Sequence, residues 1–200
     1  MNNIKKEVYI LDKNDNKKKM KIKLSEITTS DLSDIITIYD EWVKYCKLLE
    51  HRNYRRANFP EGVSEDLVCI LKKYYKLNQK AVYGCSTSFD CLDGNNGERI
   101  QVKASSSNYE LTSFGPKSVF DRIYFLDFYY EGESYKKKFK FYEIDKTLIE
   151  NAWVNKDETV TNQSDEGKRP RIRIRKLIEQ NSISFTEYEI TNTKIKKIWL

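Results

Sequence analysis

The stretch VYGCSTSFDCLDGNNGERIQVKASS, residues 82–106, decides the fold that the sequence predicts. Its pattern predicts two β-strands, the first carrying Asp90 and the second spanning residues 98–105. The turn between them, Asp93–Gly97, is rich in Gly and Asn, which accept positive φ angles at little cost. The segment therefore predicts a β-hairpin, and the rest of the chain can be arranged around it.

The second strand of this hairpin has one apolar and one polar face. Side chains alternate along a strand, so Ile100 and Val102 would point to one face and Gln101 and Lys103 to the other. Pairing with the first strand would bring Asp90 near the polar face. The sequence therefore predicts a carboxylate, an amide and an ammonium group at one end of a sheet.

These groups suit the hydrolysis of a phosphodiester bond. Mg²⁺ takes oxygen ligands and commonly only one or two protein carboxylates. Asp90 would supply the charge, Gln101 a carbonyl oxygen, and the backbone of Val102 a further oxygen. Lys103 would offset charge at the phosphate and orient or deprotonate the attacking water. The alternative is an ordinary amphipathic strand whose polar face is solvated.

The pair Phe89-Asp90 followed by Gln101-Val102-Lys103 resembles the PD-(D/E)XK nuclease motif. Together with its surroundings, roughly residues 55 to 180, it is similar to small type II restriction endonucleases, and most similar to a group that recognises the interrupted palindrome G-C-N-G-C. The resemblance implies an α/β fold with a mixed central β-sheet flanked by helices. It also implies Mg²⁺ as cofactor, double-stranded DNA as substrate, a homodimer, and products with a 5′-phosphate and a 3′-hydroxyl.

The chain departs from this family pattern at two positions. Phe89 stands where the family often has Pro, a position that only shapes the strand. Gln101 stands where the family usually has Glu or Asp, which removes one negative charge. Glu98 and Glu65 could compensate, and the strand alternation points Glu98 away, so Glu65 is preferred as a metal or assisting carboxylate. The alternative for Glu65, in the first turn of a predicted helix, is a favourable interaction with the helix dipole.

Composition and length favour one nuclease domain over residues 1–200, with a catalytic core at about 55–150 and a basic DNA-contacting region at about 155–190. The formal charge of +6 suits a polyanionic partner without requiring one. The four cysteines lack zinc-knuckle spacing. No apolar run is long enough for a signal peptide or a membrane span, so a cytoplasmic protein without membrane contact is expected.

Apolar periodicity predicts the remaining elements. Two helices are expected, one capped by Ser30 that ends near His51 and one from Ser64 to about Leu77. Residues 122–144 predict a hairpin, Asp145 caps a short helix, and polar residues 155–167 predict a mobile loop.

A second basic stretch, Lys168–Lys176, predicts a strand with its arginines on one exposed face and isoleucines behind. Guanidinium groups in a row repel each other unless an anion is near, and they pair well with phosphate or guanine. The alternative is an exposed strand balanced by acidic residues elsewhere. Together with the polar loop after the catalytic strand, the predicted DNA-binding residues are Ser105, Ser106, Arg169, Arg171, Arg173 and Arg175.

The predicted function is that of a Mg²⁺-dependent type II restriction endonuclease. Two alternatives remain at this point. One is a structure-specific DNA repair nuclease of the same superfamily. The other is a DNA-binding module without catalysis, in which Gln101 marks a site that has lost its activity.

Overall fold

The structure is a computed structural model that describes residues 5–11, 19–77, 89–116 and 118–198, with side chains from Ile22 onward. The sequence also predicts a short hairpin around residues 14–16, and its turn lies outside these ranges, as do residues 82–88 at the start of the predicted strand that carries Asp90.

Nine of the described strands form one mixed sheet in the order β1-β2-β3-β4-β5-β7-β8-β10-β11, and β6 pairs with β9 in a separate two-stranded sheet. The strands are β1 (Lys5–Leu11), β2 (Lys19–Glu26), β3 (Tyr75–Leu77), β4 (Cys91–Leu92), β5 (Arg99–Ser105), β6 (Thr112–Ser113), β7 (Arg122–Asp127), β8 (Lys138–Ile144), β9 (Arg171–Ile172), β10 (Phe185–Ile190) and β11 (Ile195–Ile198). The β5–β7 pair is parallel, and the other described pairs are antiparallel. The mixed sheet agrees with the expected fold class.

Helices cover both faces of the sheet. They are α1 (Leu32–His51), α2 (Glu61–Lys72), α3 (Lys146–Glu150), α4 (Val160–Asp165) and α5 (Ile174–Gln180). One buried cluster joins α1 and α2 to the sheet, and a second joins α3, α4 and α5 to it. Alternation along β7 explains the division, since Tyr124 and Leu126 lie in the first cluster and Ile123 and Phe125 in the second.

Several predicted elements are confirmed. The turn Asp93–Gly97 joins β4 to β5, with Gly97 at a φ of 76°. Strands β7 and β8 pair as the predicted antiparallel hairpin. Asp145 caps α3 by accepting a hydrogen bond from the Thr147 N–H.

No described helix is long and apolar enough to cross a membrane.

The bounds of the first two helices differ from the prediction. Thr28, and not Ser30, caps the 3-10 turn that precedes α1. Helix α2 begins at Glu61, directly after Pro60, and ends at Lys72 because Lys73 adopts a left-handed conformation. Glu65 therefore lies in the second turn of α2, where the dipole interaction expected for a first-turn carboxylate has largely faded.

Two predictions about residues 155–176 are wrong. The segment expected to be a mobile loop contains α4, which begins with a capping box between Thr159 and Asn162. The arginine strand is reduced to the two residues of β9, and α5 starts at Ile174. The arginines of this segment therefore do not share one strand face. The helix forms because Ile174 and Ile178, at helical spacing, are both buried in the second cluster.

Candidate active site

The β4–β5 hairpin fixes the backbone of Asp90 between two neighbouring strands. The Asp90 N–H donates to the Ile100 carbonyl on β5 at 2.8 Å, and the Asp90 carbonyl accepts from the Leu77 N–H on β3 at 2.9 Å. The turn is closed by a 2.9 Å bond from the Asp93 N–H to the Glu98 carbonyl. Asp90 is therefore held by hydrogen bonds to both sides, which leaves its side chain in a defined position.

The carboxylate of Asp90 meets the second strand. Its Oδ2 accepts a 2.7 Å hydrogen bond from the Val102 N–H and another from Nε2 of Gln101. Gln101 is buried, and Lys103, two residues further along β5, is half-buried. The structure thus brings Asp90 and Gln101 into direct contact, as the alternation along β5 predicts, with the Lys103 charge close enough to act on the same carboxylate.

The electrostatics of Asp90 are unusual for an aspartate. Burial of its carboxyl group, and next the negative charge of Glu65, raise the pKa of Asp90 to about 7. The Val102 N–H and the charge of Lys103 act in the opposite direction. Near neutral pH this carboxyl group is only partly ionised, so a positive ligand beside it would favour the charged form.

Glu65 reaches this region from α2. It is 8% exposed, and its Oε2 lies 3.3 Å from Nζ of Lys76 on β3. Burial raises the pKa of Glu65, while the Lys76 charge lowers it. Glu98, the other candidate, instead pairs with Arg122, whose Nε lies 3.0 Å from Glu98 Oε2. Of these two carboxylates, Glu65 is therefore the one whose charge acts on Asp90.

Lys76 is a residue of this site that the sequence analysis missed. Its Nζ contacts Glu65, lies 2.6 Å from Asp66 Oδ1, and donates to the Gly62 carbonyl at 3.2 Å. The neighbouring carboxylates raise the pKa of Lys76 despite its burial. The local signal for this role is the place of Lys76 between Tyr75 and Leu77, in a segment where apolar periodicity predicts a helix and the structure has the strand β3.

The donor set fits a hard divalent cation. The half-buried Asp90 and the buried Glu65 offer two carboxylates, Gln101 offers an amide oxygen, and Val102 a backbone carbonyl. The described residues hold no group of three His, Cys, Asp or Glu side chains suited to a metal, but Mg²⁺ needs only one or two carboxylates. The Gln101 amide turns its N–H towards Asp90 because a carboxylate can only accept; a cation in the site would favour the amide oxygen instead.

The predicted DNA-binding residues differ in how exposed their side chains are. The side chains of Arg169, Arg171 and Arg173 are exposed, whereas Ser105 is half-buried. Ser106 is 4% exposed, and its carbonyl accepts a hydrogen bond from Arg56. The guanidinium of Arg175 pairs with Asp127. Three of the six residues therefore have freely accessible side chains, all of them arginines in the segment before α5.

A sequence profile described as Bsp6I restriction endonuclease matches residues 27–181, which include the whole β4–β5 hairpin and the arginine segment. The chain belongs to the Bsp6I restriction endonuclease family. It is also 29% identical to the type II restriction enzyme Bsp6I of Bacillus sp. (strain RFL6) over 178 residues, which cover 86% of this chain and 96% of that enzyme. No solved structure matches the chain.

Membership of the Bsp6I family confirms the predicted enzyme class. The protein is a site-specific nuclease of the type II restriction class. The mixed sheet flanked by helices is consistent with a restriction-endonuclease fold. The group around Asp90 is the candidate catalytic centre, because the Asp90 carboxylate contacts the Gln101 amide and the charge of Glu65 acts on it.

Proposed function

We propose that the protein is a Mg²⁺-dependent endonuclease that cuts double-stranded DNA at a short palindromic, G·C-rich site, with G-C-N-G-C as the expected sequence. The observation that carries the proposal is the contact of the Asp90 carboxylate with the side chain of Gln101 and the backbone of Val102. The membership in a restriction endonuclease family supports it.

Phe89-Asp90 and Gln101-Val102-Lys103 would form a variant PD-(D/E)XK site. Asp90, Glu65, Gln101 and the Val102 carbonyl would hold the Mg²⁺. When bound, the cation supplies Lewis-acid stabilisation of charge that develops on the phosphate. The raised pKa of Asp90 supports this arrangement, because a buried carboxyl group next to another carboxylate is stabilised in its charged form by a cation.

Lys103 would act on the reacting groups themselves. It follows Gln101 on the same face of β5, so its ammonium group can approach the scissile phosphate and offset negative charge in the transition state. It can also orient the water that attacks the phosphorus atom. Hydrolysis adds this water across the P–O bond, so that a 5′-phosphate and a 3′-hydroxyl are released.

The DNA would be bound by a homodimer, since a palindrome has two-fold symmetry and each strand needs one catalytic centre. We propose one nuclease domain over residues 1–200, with the catalytic core at about 55–150 and the DNA-contacting region at about 155–190. The exposed side chains of Arg169, Arg171 and Arg173 support this part of the proposal. The polar residues Ser105 and Ser106 would bring the loop after β5 to the DNA.

Digestion of a sequenced plasmid, with and without Mg²⁺, tests this function. We expect discrete fragments only with Mg²⁺, whose mapped ends share one palindrome. The matched control is Asp90→Asn, which keeps the shape of the side chain and removes its charge, and should leave the plasmid intact. Cutting restricted to junctions or lesions would point to a repair nuclease, and an uncut plasmid with Mg²⁺ would refute the proposed chemistry.

A further inference from the structure

The loop that follows the catalytic strand, Ser106–Leu111, exposes two large side chains. Tyr109 is 84% exposed and Leu111 is 58% exposed, although Glu110 between them is buried. A single exposed apolar residue needs no explanation. Tyr109 is different, because it is almost fully exposed although the loop that carries it is hydrogen-bonded to the body of the protein. This combination indicates that the ring contacts a binding partner.

Two arginines hold three consecutive carbonyls of this loop. Nη1 of Arg56 donates to the Ser106 carbonyl at 3.2 Å. Nη1 of Arg175 donates to the carbonyls of Ser107 and Asn108, at 2.5 and 3.1 Å. The loop backbone before Tyr109 is therefore fixed by charged donors, which form stronger hydrogen bonds than neutral ones.

Both arginines are themselves held in place. Asp127, at 6% exposure, binds Arg175 through two parallel bonds, 2.6 Å from Nε and 2.7 Å from Nη2. The guanidinium also lies 5.3 Å from the centre of the Tyr129 ring. Arg56 is bound by Glu50, with a 2.9 Å bond from its Nε. Each guanidinium therefore binds a carboxylate as well as the loop backbone.

The loop is also anchored after Tyr109. The Glu110 side chain is buried and accepts a 3.3 Å bond from the backbone N–H of Arg175, in the first turn of α5, and a second from the Thr112 hydroxyl. The Ser107 hydroxyl accepts a bond from the Tyr109 N–H at 3.2 Å. Tyr109 thus lies at the exposed tip of the loop, with hydrogen-bonded residues on both sides of it. Binding a partner here would cost little further conformational entropy.

The surroundings of the loop favour a polyanion as the partner. Leu111 lines a cavity of about 690 Å³ together with Arg171, Arg173, Lys176 and Trp153. The loop directly continues β5, the strand that carries Gln101 and Lys103. DNA bound at the proposed catalytic centre would therefore extend along an aromatic residue with basic side chains close by, the combination that stacks bases and binds phosphates.

We propose that Tyr109 stacks against a base of the bound DNA duplex, and that Arg175 is the positioning residue that holds Tyr109 for this contact. The inference rests on the proposed function and deepens it, because it names the residue that reads or distorts the duplex beside the cleavage site. Arg175, which the sequence assigns to direct DNA contact, acts on the DNA through the loop.

The first test compares Tyr109→Ala with Tyr109→Trp. Because the side chain is exposed, neither variant should lose stability. Stacking of one base on an aromatic ring is sensitive to alanine substitution, so Tyr109→Ala should weaken DNA binding about 10- to 100-fold. Tyr109→Trp should retain binding. The control is Tyr45→Ala, an exposed tyrosine on α1, which should bind DNA as the wild type does.

A base analogue reports the stacking itself. Duplexes that contain the site with 2-aminopurine at successive positions are bound without Mg²⁺, and fluorescence is read with wild type and with Tyr109→Ala. We expect one position whose fluorescence changes on binding of the wild type only. If Tyr109→Ala binds and changes fluorescence as the wild type does, while the wild type cuts the plasmid, this inference fails and the proposed function stands. A wild type that cuts no DNA with Mg²⁺ refutes the proposed function first.

A double-mutant cycle tests the role of Arg175. Arg175→Lys keeps the charge and cannot form the same fork with Asp127. If Arg175 acts through Tyr109, Arg175→Lys lowers DNA affinity in the wild type and has no further effect once Tyr109 is Ala. Additive losses would overturn the positioning role, since they would show a contact of Arg175 that does not depend on the tyrosine.

Discussion

The β4–β5 hairpin and the segment Lys168–Lys176 have similar sequence patterns but adopt different secondary structures. Each has polar residues alternating with apolar ones, and each predicts a strand with one polar face. The hairpin keeps this pattern. The arginine segment turns into a helix after the two residues of β9.

The difference lies in how many partners each strand has. β5 pairs with β7 over the six residues from Ile100 to Ser105, and β4 adds two further pairs on the other side, so its alternation is enforced along its length. β9 pairs only with β6, over two residues. With so little pairing, burial of Ile174 and Ile178 decides the conformation. The polar groups of the hairpin remain gathered in one place, while those of the arginine segment are divided between solvent and the interior.

The sharpest test of this comparison is the loss of the Asp90 charge. Asp90→Ala should reduce DNA cleavage by at least about 10³-fold, because a metal ligand contributes several kcal/mol to charge stabilisation in the transition state. DNA binding should persist. Cleavage rates and gel-shift affinities check both points. The control is Glu98→Gln, which changes a carboxylate paired with Arg122 and should cut DNA normally. If the Asp90→Ala enzyme still cuts DNA, Asp90 is not part of the catalytic centre.

In the arginine segment, the largest expected effect of a substitution is on the free energy of unfolding and not on cleavage. Arg175→Met leaves Asp127 buried without its partner, and losing one member of a buried ion pair costs about 3–5 kcal/mol. Urea unfolding measures this loss. The double variant Arg175→Met with Asp127→Asn should recover part of it. An unchanged midpoint for Arg175→Met would show that the pair contributes nothing to the fold.

Arg173, one of the three exposed arginines of the same segment, should affect DNA binding alone. Arg173→Ala should weaken DNA binding by about 1–3 kcal/mol if the guanidinium contacts a base, and the loss should fall on the cognate site only. Equal losses on every sequence would identify a phosphate contact. Unfolding by urea should not change, because Arg173 is exposed. Unaltered affinity for all DNA would exclude Arg173 from the interface.

The smallest expected effect is a pH dependence of the metal-free hairpin. The folded pKa of Asp90, about 7, lies above its value in the unfolded chain, so the folded protein holds the proton more tightly. Stability contributed by this group is present below pH 4 and is lost as pH rises towards 7, by up to about 2 kcal/mol between pH 5 and 7. Urea unfolding in EDTA at several pH values, compared with Asp90→Asn, isolates this contribution. Parallel curves for the two proteins would contradict it.

The sequence predicts the parts of the site that depend on local rules. The turn at Asp93–Gly97 and the alternation of Gln101 and Lys103 follow from residues within one hairpin. The role of Lys76 could not be predicted, because it depends on α2 ending at Lys72 and on carboxylates ten or more positions away. Arg175 is similar, since its partner Asp127 is 48 positions distant.

The parallel pairing of β5 with β7 has a consequence for how this protein responds to ionic strength. The chain must return across the sheet between these strands, and in residues 106–116 and 118–121 it does so without a helix that could satisfy its own carbonyls. Arg56 and Arg175 instead donate hydrogen bonds to carbonyls of this connection. Each guanidinium is also paired with a carboxylate, Arg56 with Glu50 and Arg175 with Asp127, so neither would displace a counterion from DNA and neither should add to the salt dependence of DNA binding.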